Sequence, residues 1–508
     1  MNINRRGFLF GSVAVATFAG CSTAVAGARK LKPGEKRNVA IIGTGIQGRG
    51  LLSGFLKQPN VRVVATCDVD RTRREHAAGM VDRYYKDGSK CAAIADFRDV
   101  LGNPDVDAVC IATPDHWHAY ISVEAMKHGK DVYCEKPLTF SIDEAKKVMA
   151  AQKKYGRVFQ TGSMQRSWRV FRTAVALVRG GVIGDVGFVD ANYGRGGAKL
   201  GGPSHPVRFF DVPENAAAES EGFDKLGEWG WNMWLGPAKW RPYSNQLAPV
   251  GVNKFYPMFW RFDDDIGSGY NGDWGAHHLD IAQWGLNMDD SGPYRIVRSD
   301  EPYSMNLFHG GRRQFGMRML FKSKKDASDI ELYHGPFGVW GTVFYGTNGI
   351  VAVNRGKIAV WTGFDATAAR PNAEIRKGLQ NVSYMKENIV AESVGKDYGT
   401  DATVKKDERL DAALDLLEKK FAAEIAKASL YFSPNQIQNF CECIDSRKMT
   451  ISPAEVGGRS CTLCLLCNMS YVYDTGFDWD PVRMEIVNNK KGISIKRDTY
   501  RNGWDVIV

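Results

Sequence analysis

Asn38-Val-Ala-Ile-Ile-Gly43-Thr-Gly45-Ile46-Gln47-Gly48-Arg-Gly-Leu51-Leu52 is the stretch that decides the fold. An unbroken apolar run, Val39–Ile42, leads into three glycines spaced Gly-x-Gly-x-x-Gly. Leu51, Leu52, Phe55 and Leu56 then recur at helical intervals. Such a run marks a strand buried on both faces, as in a parallel sheet. Gly43 suits a tight turn, Gly45 lets the backbone approach a pyrophosphate, and Gly48 lets helix and strand pack closely. The free N–H groups and dipole at the helix N-terminus favour phosphate, so Gly43, Gly45, Ile46, Gln47 and Gly48 are the expected dinucleotide loop. Asp68 ends the next apolar run, 20 residues after Gly48. It is placed to accept hydrogen bonds from ribose hydroxyls and to repel a 2′-phosphate, so NAD is expected; Arg71, Arg73 and Arg74 keep NADP open.

Outward from this stretch, strand-like runs at Val61–Asp68, Val106–Ala112 and Asp131–Glu135 alternate with helical patterns at Arg71–Tyr85, 116–128 and 141–155. That alternation predicts an α/β domain, a Rossmann doubly wound parallel sheet over residues 38–155. After Gly156 the rhythm changes. Gly311–Lys322 and Phe337–Val360 read as strands punctuated by glycine turns. Residues 156–508 are therefore expected to form an α+β domain with a large open, mostly antiparallel sheet. The charged stretch 364–432 reads as an insertion with a helix at Glu408–Ala428, and helices near 434–446 and 453–470 should return to pack on the body.

With 44% hydrophobic and 24% charged residues among 508, the chain is not collagen-like, disulfide-dense or disordered. The net charge of +10 is concentrated at one end: residues 1–26 carry +2 and residues 27–38 carry +4, leaving +4 for the other 470. That excludes a basic nucleic-acid-binding face. Asn4-Arg5-Arg6-Gly7-Phe8-Leu9 and the apolar run to Gly20 resemble a twin-arginine export signal over residues 1–26, followed by a linker at 27–37. The twin-arginine translocase is then a partner and the periplasm the destination. Cleavage after Ala24-Val25-Ala26 competes with a lipid anchor at Cys21. No other segment is long and apolar enough to span a bilayer. Cys461, Cys464 and Cys467 have iron–sulfur-like spacing, but their apolar helical setting reads as one buried face.

Three further motifs carry chemistry: Thr113-Pro114-Asp115-His116-Trp117-His118, Cys134-Glu135-Lys136-Pro137 and Gly272-Asp273-Trp274-Gly275-Ala276-His277-His278-Leu279-Asp280. Lys136 falls at the carboxyl edge of a parallel strand, where ligands of open α/β sheets bind. Beside a cationic nicotinamide it suits acid–base work. Asp273 and His277, spaced i, i+4, share one helix face, and His277 is the natural proton carrier near neutral pH. His116 and His118 lack metal-site spacing, so no metal is expected.

Taken in this order, the motifs resemble the glucose–fructose oxidoreductase/inositol dehydrogenase (Gfo/Idh/MocA) family over residues 38–363 and 433–490. The resemblance implies catalysis at Lys136, Asp273 and His277. It adds Thr113, Pro114, His116, His118, Glu135 and Lys136 to the cofactor contacts, and implies a small carbohydrate or polyol substrate and a homo-oligomer. Gln165, Arg166, Tyr193 and Trp260 are candidates for the sugar side, since aromatic faces suit carbohydrate C–H surfaces and arginine suits hydroxyls. His278 points about 100° away from His277 on a helix and suits a structural role as well as a substrate contact.

Export and NAD together give the sharpest expectation. A dehydrogenase that released NADH outside the cytoplasm would stall, so the nucleotide should be loaded before export and kept. Family precedents are a two-sugar oxidoreductase and a redox-neutral NAD-dependent glycosidase acting through transient oxidation at C3. The glycosidase branch does not generally carry the lysine matching Lys136, so oxidoreduction of a sugar or polyol is the first expectation.

Overall fold

Strands buried on both faces cannot stand alone, and the chain covers them with helices drawn from both its ends. The computed structural model describes residues 29, 31–193, 220–245, 247–253, 259–303, 314–334, 340–367, 388–394, 407–498 and 500–508. The signal expected at 1–26, with Cys21, lies outside the described residues. Strands β1 (Arg37–Ile42), β2 (Val61–Cys67), β3 (Ala92–Ile94), β4 (Ala108–Ile111), β5 (Asp131–Cys134) and β6 (Phe159–Thr161) lie in the order β3-β2-β1-β4-β5-β6. All these pairings are parallel, as the unbroken apolar runs require. Two boundaries shift: Arg37, assigned to the linker, begins β1, and β6 extends the sheet past residue 155.

Helix Ile46–Leu56 lays Leu51, Leu52 and Phe55 on this sheet. The Phe55 ring meets Tyr133 and Phe440 edge-on at 5.9 and 6.1 Å, so helix Gln436–Ser446, nearly 400 residues away in sequence, completes the same core. Helix Ile142–Tyr155 starts on a reciprocal Ser141–Glu144 capping box and stops at Gly156 in the left-handed region. Helix Ala454–Val472 lies against it and buries Cys461, Cys464 and Cys467 in the main core. The nine described cysteines are all free thiols.

The second sheet is mostly antiparallel and ten-stranded. Its members are β7 (Val186–Ala191), β8 (Arg295–Tyr303), β9 (Gln314–Lys322), β10 (Asp329–His334), β11 (Thr342–Gly346), β12 (Gly349–Asn354), β13 (Lys357–Thr362), β14 (Ile389–Val394), β15 (Phe477–Asp480) and β16 (Glu485–Val487). Their order is β14-β13-β12-β11-β7-β10-β9-β8-β15-β16, with β7 and β10 parallel. Helices Arg169–Arg179 and Ala276–Gly285 pack on one face. The other face carries Trp340, Tyr345 and Trp361, each at most 2% exposed in the single chain.

The stretch read as an insertion is partly structural, because β14 pairs with β13. Its expected helix breaks at Phe421 into Glu408–Lys420 and Ala422–Ala428, tied to helix Arg169–Arg179 by ion pairs from Arg169 to Glu418 and Asp415. Among the described residues no helix is long and apolar enough to cross a membrane.

Candidate active site

The loop after β1 has the shape its glycines predicted. Gly43 has φ +87, and a Cβ there would sit 2.6 Å from the Ala112 carbonyl group. A Cβ on Gly48 would overlap the Gly43 carbonyl oxygen, whereas one on Gly45 would meet nothing within 4 Å. Tight packing at two glycines and open space at the middle one is what a phosphate-holding turn needs. Asp68 lines the same cleft. Its carboxylate accepts from the Thr44 amide at 2.8 Å, the Thr44 hydroxyl at 3.2 Å and the Asp70 amide at 3.0 Å. These residues fit NAD.

The three nearby arginines are engaged elsewhere. Arg71 pairs with Glu75 on the helix surface, and Arg74 donates to the carbonyls of Asp68 and Val69. Arg73 donates to the carbonyls of Pro249 and Gly251, the latter at 2.8 Å.

That contact exposes a feature the local sequence did not signal. Residues 247–253 form a strap whose Leu247, Ala248, Pro249 and Asn253 wall the cleft opposite the glycine loop; Trp234, Trp260 and Arg261 extend this wall. The cleft between them encloses about 140 Å³. Arg49 donates to the Asn253 carbonyl at 2.6 Å, and the Gly251 amide donates to Asp70 at 2.6 Å. The carboxyl tail braces the wall from behind. Arg501 donates to the carbonyls of Ala238 and Asn232, and Trp504 packs on Trp117, Tyr120 and Phe97 with centroids 4.9, 5.1 and 6.1 Å away.

At the carboxyl edge of β5 the peptide bond between Lys136 and Pro137 is cis. The Lys136 ammonium donates to the Asp273 carboxylate at 2.7 Å and to the Asp273 carbonyl at 2.8 Å. Arg261 lies 3.5 Å from the same carboxylate. Burial alone would raise the Asp273 pKa, but Lys136 and Arg261 hold it down at about 2. Asp273 does not lie on the regular helix its spacing predicted. Asn271–Gly275 is a π-turn leading into helix Ala276–Gly285. Asn271 anchors it, accepting from the Tyr193 hydroxyl and donating to Asn468. Gly272 and Gly275 permit the close approach, since a Cβ at either would strike Ser268 or Tyr193.

His277 is 7% exposed, and its Nδ1 is buried without a partner. Burial first, then the charges of Arg355 and Lys136, push its pKa well below the usual imidazole range. The ring is therefore neutral at physiological pH, a proton acceptor rather than the near-neutral titrating group expected from residue type alone.

The remaining candidates divide. Thr113, Pro114, Ile46, Gln47 and Trp260 line the nucleotide cleft. Glu135 is buried beneath it, bonded to Gln47 and 3.4 Å from the Tyr133 hydroxyl; burial raises its pKa. His118 spans the carbonyls of Pro137 (2.8 Å) and Thr113 (2.9 Å), tying together the two loops that carry the site.

His116 was expected at the cofactor. Instead its Nε2 lies 3.0 Å from the Trp234 carbonyl, and burial lowers its pKa to about 3. It fastens the opposite wall. Arg166 was expected at the sugar, yet it is 1% exposed and its guanidinium is shared between Asp280 and Asp289. Gln165 is equally buried, bridging Arg355 to the His277 carbonyl. Tyr193 and His278 stand in a stack that runs His334, Tyr193, His278, Trp274, with neighbouring planes within about 11° of parallel. Gly341 closes on the His278 ring. Arginine, tyrosine and histidine thus serve here as structure, because their polar atoms find partners or burial inside the fold.

Comparison with known proteins agrees with this geometry. Residues 37–163 match the family described as "Oxidoreductase family, NAD-binding Rossmann fold". Over 135 residues the chain is 39% identical to inositol 2-dehydrogenase of Rubrobacter xylanophilus, covering 26% of this chain and 36% of that one. Over 243 residues it is 28% identical to a glycosyl hydrolase family 109 protein of Stenotrophomonas maltophilia, covering 47% and 50%. The chain spans about two fifths of the length of the first curated relatives it matches. An aldose-aldose oxidoreductase from Caulobacter crescentus, solved with glycerol, shares the fold over 87% of this chain and 100% of its own, with TM-score 0.50 and 16% identity.

Proposed function

We propose, since this chain belongs through residues 37–163 to the Gfo/Idh/MocA oxidoreductase family and binds NAD there, that it oxidises or reduces a hydroxyl carbon of a sugar, sugar derivative or polyol. One observation supports the reading: Lys136 pairs with Asp273 at the carboxyl edge of the nucleotide sheet, near enough to His277 for its charge to lower the histidine's pKa. NAD, when bound, supplies the hydride acceptor or donor. The ammonium of Lys136 has three protons and commits two hydrogen bonds to Asp273, so the third is available to a substrate oxygen. Its charge polarises that oxygen, while Asp273, ionised throughout the working range, holds it in place. Neutral His277 takes the hydroxyl proton. Lys136→Met should abolish turnover of a sugar and polyol panel without loss of fold; full activity in this variant would overturn the scheme.

The strap supports a nucleotide kept between turnovers, and Asp68 in the cleft, with Arg73 and Arg74 committed to backbone carbonyls, supports NAD over NADP. Export on a twin-arginine signal belongs to the same proposal. Mass spectrometry of the native protein would report the mature N-terminus, any lipid and the bound nucleotide together. Kept NAD also suits a second reading, a redox-neutral glycosidase, favoured by the similarity to the family 109 protein that reaches well past the NAD-binding domain. Sugar release from an aryl glycoside without added NAD selects that reading; a keto sugar or lactone formed with an acceptor selects the first.

A further inference from the structure

The hairpin between β12 and β13 turns through Asn354, Arg355 and Gly356, and sends Arg355 back into the molecule, where it is 2% exposed. Gly356 takes the left-handed conformation the turn requires (φ +72), and Asn354 accepts the Arg355 amide at 2.8 Å. Burying a guanidinium costs several kcal/mol unless its surroundings repay it. Here Nε donates to Gln165 at 2.9 Å, and Gln165 donates in turn to the His277 carbonyl at 3.2 Å. The guanidinium carbon lies 4.8 Å from the Trp274 ring centre and 5.4 Å from that of Trp168. Trp274 in turn meets the His277 ring edge-on at 5.8 Å. The hairpin of the second sheet therefore reaches His277 through Arg355, by way of Gln165 and Trp274.

We propose that Arg355 is a positioning residue for His277: it fixes the histidine through Gln165 and Trp274, and its charge opposes protonation of the ring. Among the described residues, the charged and titratable groups around His277 are Lys136 from the end of β5, Asp273 bonded to it with Arg261 beside, His278 on the same helix, and Arg355 from the second sheet. Asp273 is committed to Lys136 and Arg261, and Arg355 is a cation that the second sheet sets near the imidazole. After burial, its charge is the largest influence lowering the His277 pKa, ahead of Lys136. The proposal rests on His277 acting as proton acceptor.

The test follows ring-labelled histidine by NMR in the full-length protein. The chain has nine histidines, and the His277 signal is assigned by its loss in His277→Asn. The wild-type ring titrates below the ordinary imidazole range, so the signal is followed down to the pH at which the fold is lost. In Arg355→Met, and in the near-isosteric Gln165→Glu, which neutralises the guanidinium in place, the His277 titration should rise by about one pH unit. Arg355→Lys, which keeps the charge, should leave it nearly unmoved. Either charge-neutralising variant suffices if the other fails to fold. An unmoved His277 signal in the folded variants would overturn the proposal and leave Arg355 as packing alone. Full turnover by His277→Asn would instead overturn the catalytic reading beneath it.

Discussion

Removing the Arg73 side chain tests whether the strap keeps the nucleotide. Arg73 donates to the carbonyls of Pro249 and Gly251 and lies 3.7 Å from Asp70, with side-chain exposures of 14% and 8% for the pair. Hydrogen bonds from a charged donor contribute about 1.5–3 kcal/mol each, so two are worth about 3–6 kcal/mol at most. The strap keeps two other pins in the variant, from Arg49 to Asn253 and from Gly251 to Asp70. A loss of about 2–3 kcal/mol is therefore the reasonable expectation, which raises the open fraction roughly 30- to 150-fold. Release is measured by rapid gel filtration of the purified protein at timed intervals, followed by acid extraction and quantitation of NAD. Arg73→Ala should release NAD faster by that factor, whereas Arg71→Ala, which loses only an exposed pair with Glu75, should match wild type. Equal release from Arg73→Ala and wild type, or wild-type protein already empty after dialysis, would refute the strap's role.

Other expectations are equally open to measurement. Gly48→Ala should lower the thermal midpoint because its Cβ meets backbone, while Gly45→Ala should fold normally and lose NAD affinity at least about tenfold, as seen by calorimetry. Asp273 is held at about 2 against an ordinary 3.8. Because the folded value is depressed, its stabilisation is complete above the ordinary value and lost as pH falls through about 2. Asp273→Asn should therefore cost about 2 kcal/mol near neutrality in chemical denaturation and much less near pH 2. Trp504→Ala removes an 8%-exposed ring packed on three aromatics, and should cost about 3 kcal/mol and quicken NAD release by loosening the tail brace.

The dinucleotide domain was legible because its signals are local. An apolar run, three glycines and an acidic residue within about thirty positions dictate strand, turn and helix by short-range sterics, and the same holds for the capped helices Arg71–Tyr85 and Ile142–Tyr155. Lys136 and Asp273, both singled out through the resemblance, meet at 2.7 Å, a contact that no spacing in the sequence announced. The histidine added by the resemblance, and the glutamine and arginine chosen by residue type, fared differently. His116, Gln165 and Arg166 are chemically able to touch a ligand, but the fold supplies them with the Trp234 carbonyl, Arg355 and Asp280 first.

What this chain's sequence determined by itself is the βαβ frame and the nucleotide cradle, both set by interactions spanning a few turns of backbone. Tertiary structure alone decided that a strap crosses the cleft, that the tail braces it, and that Arg355 stands over helix Ala276–Gly285. Those contacts join residues about 110 to 270 positions apart. No periodicity encodes them, because they arise only when two sheets with separate patterns are packed against each other.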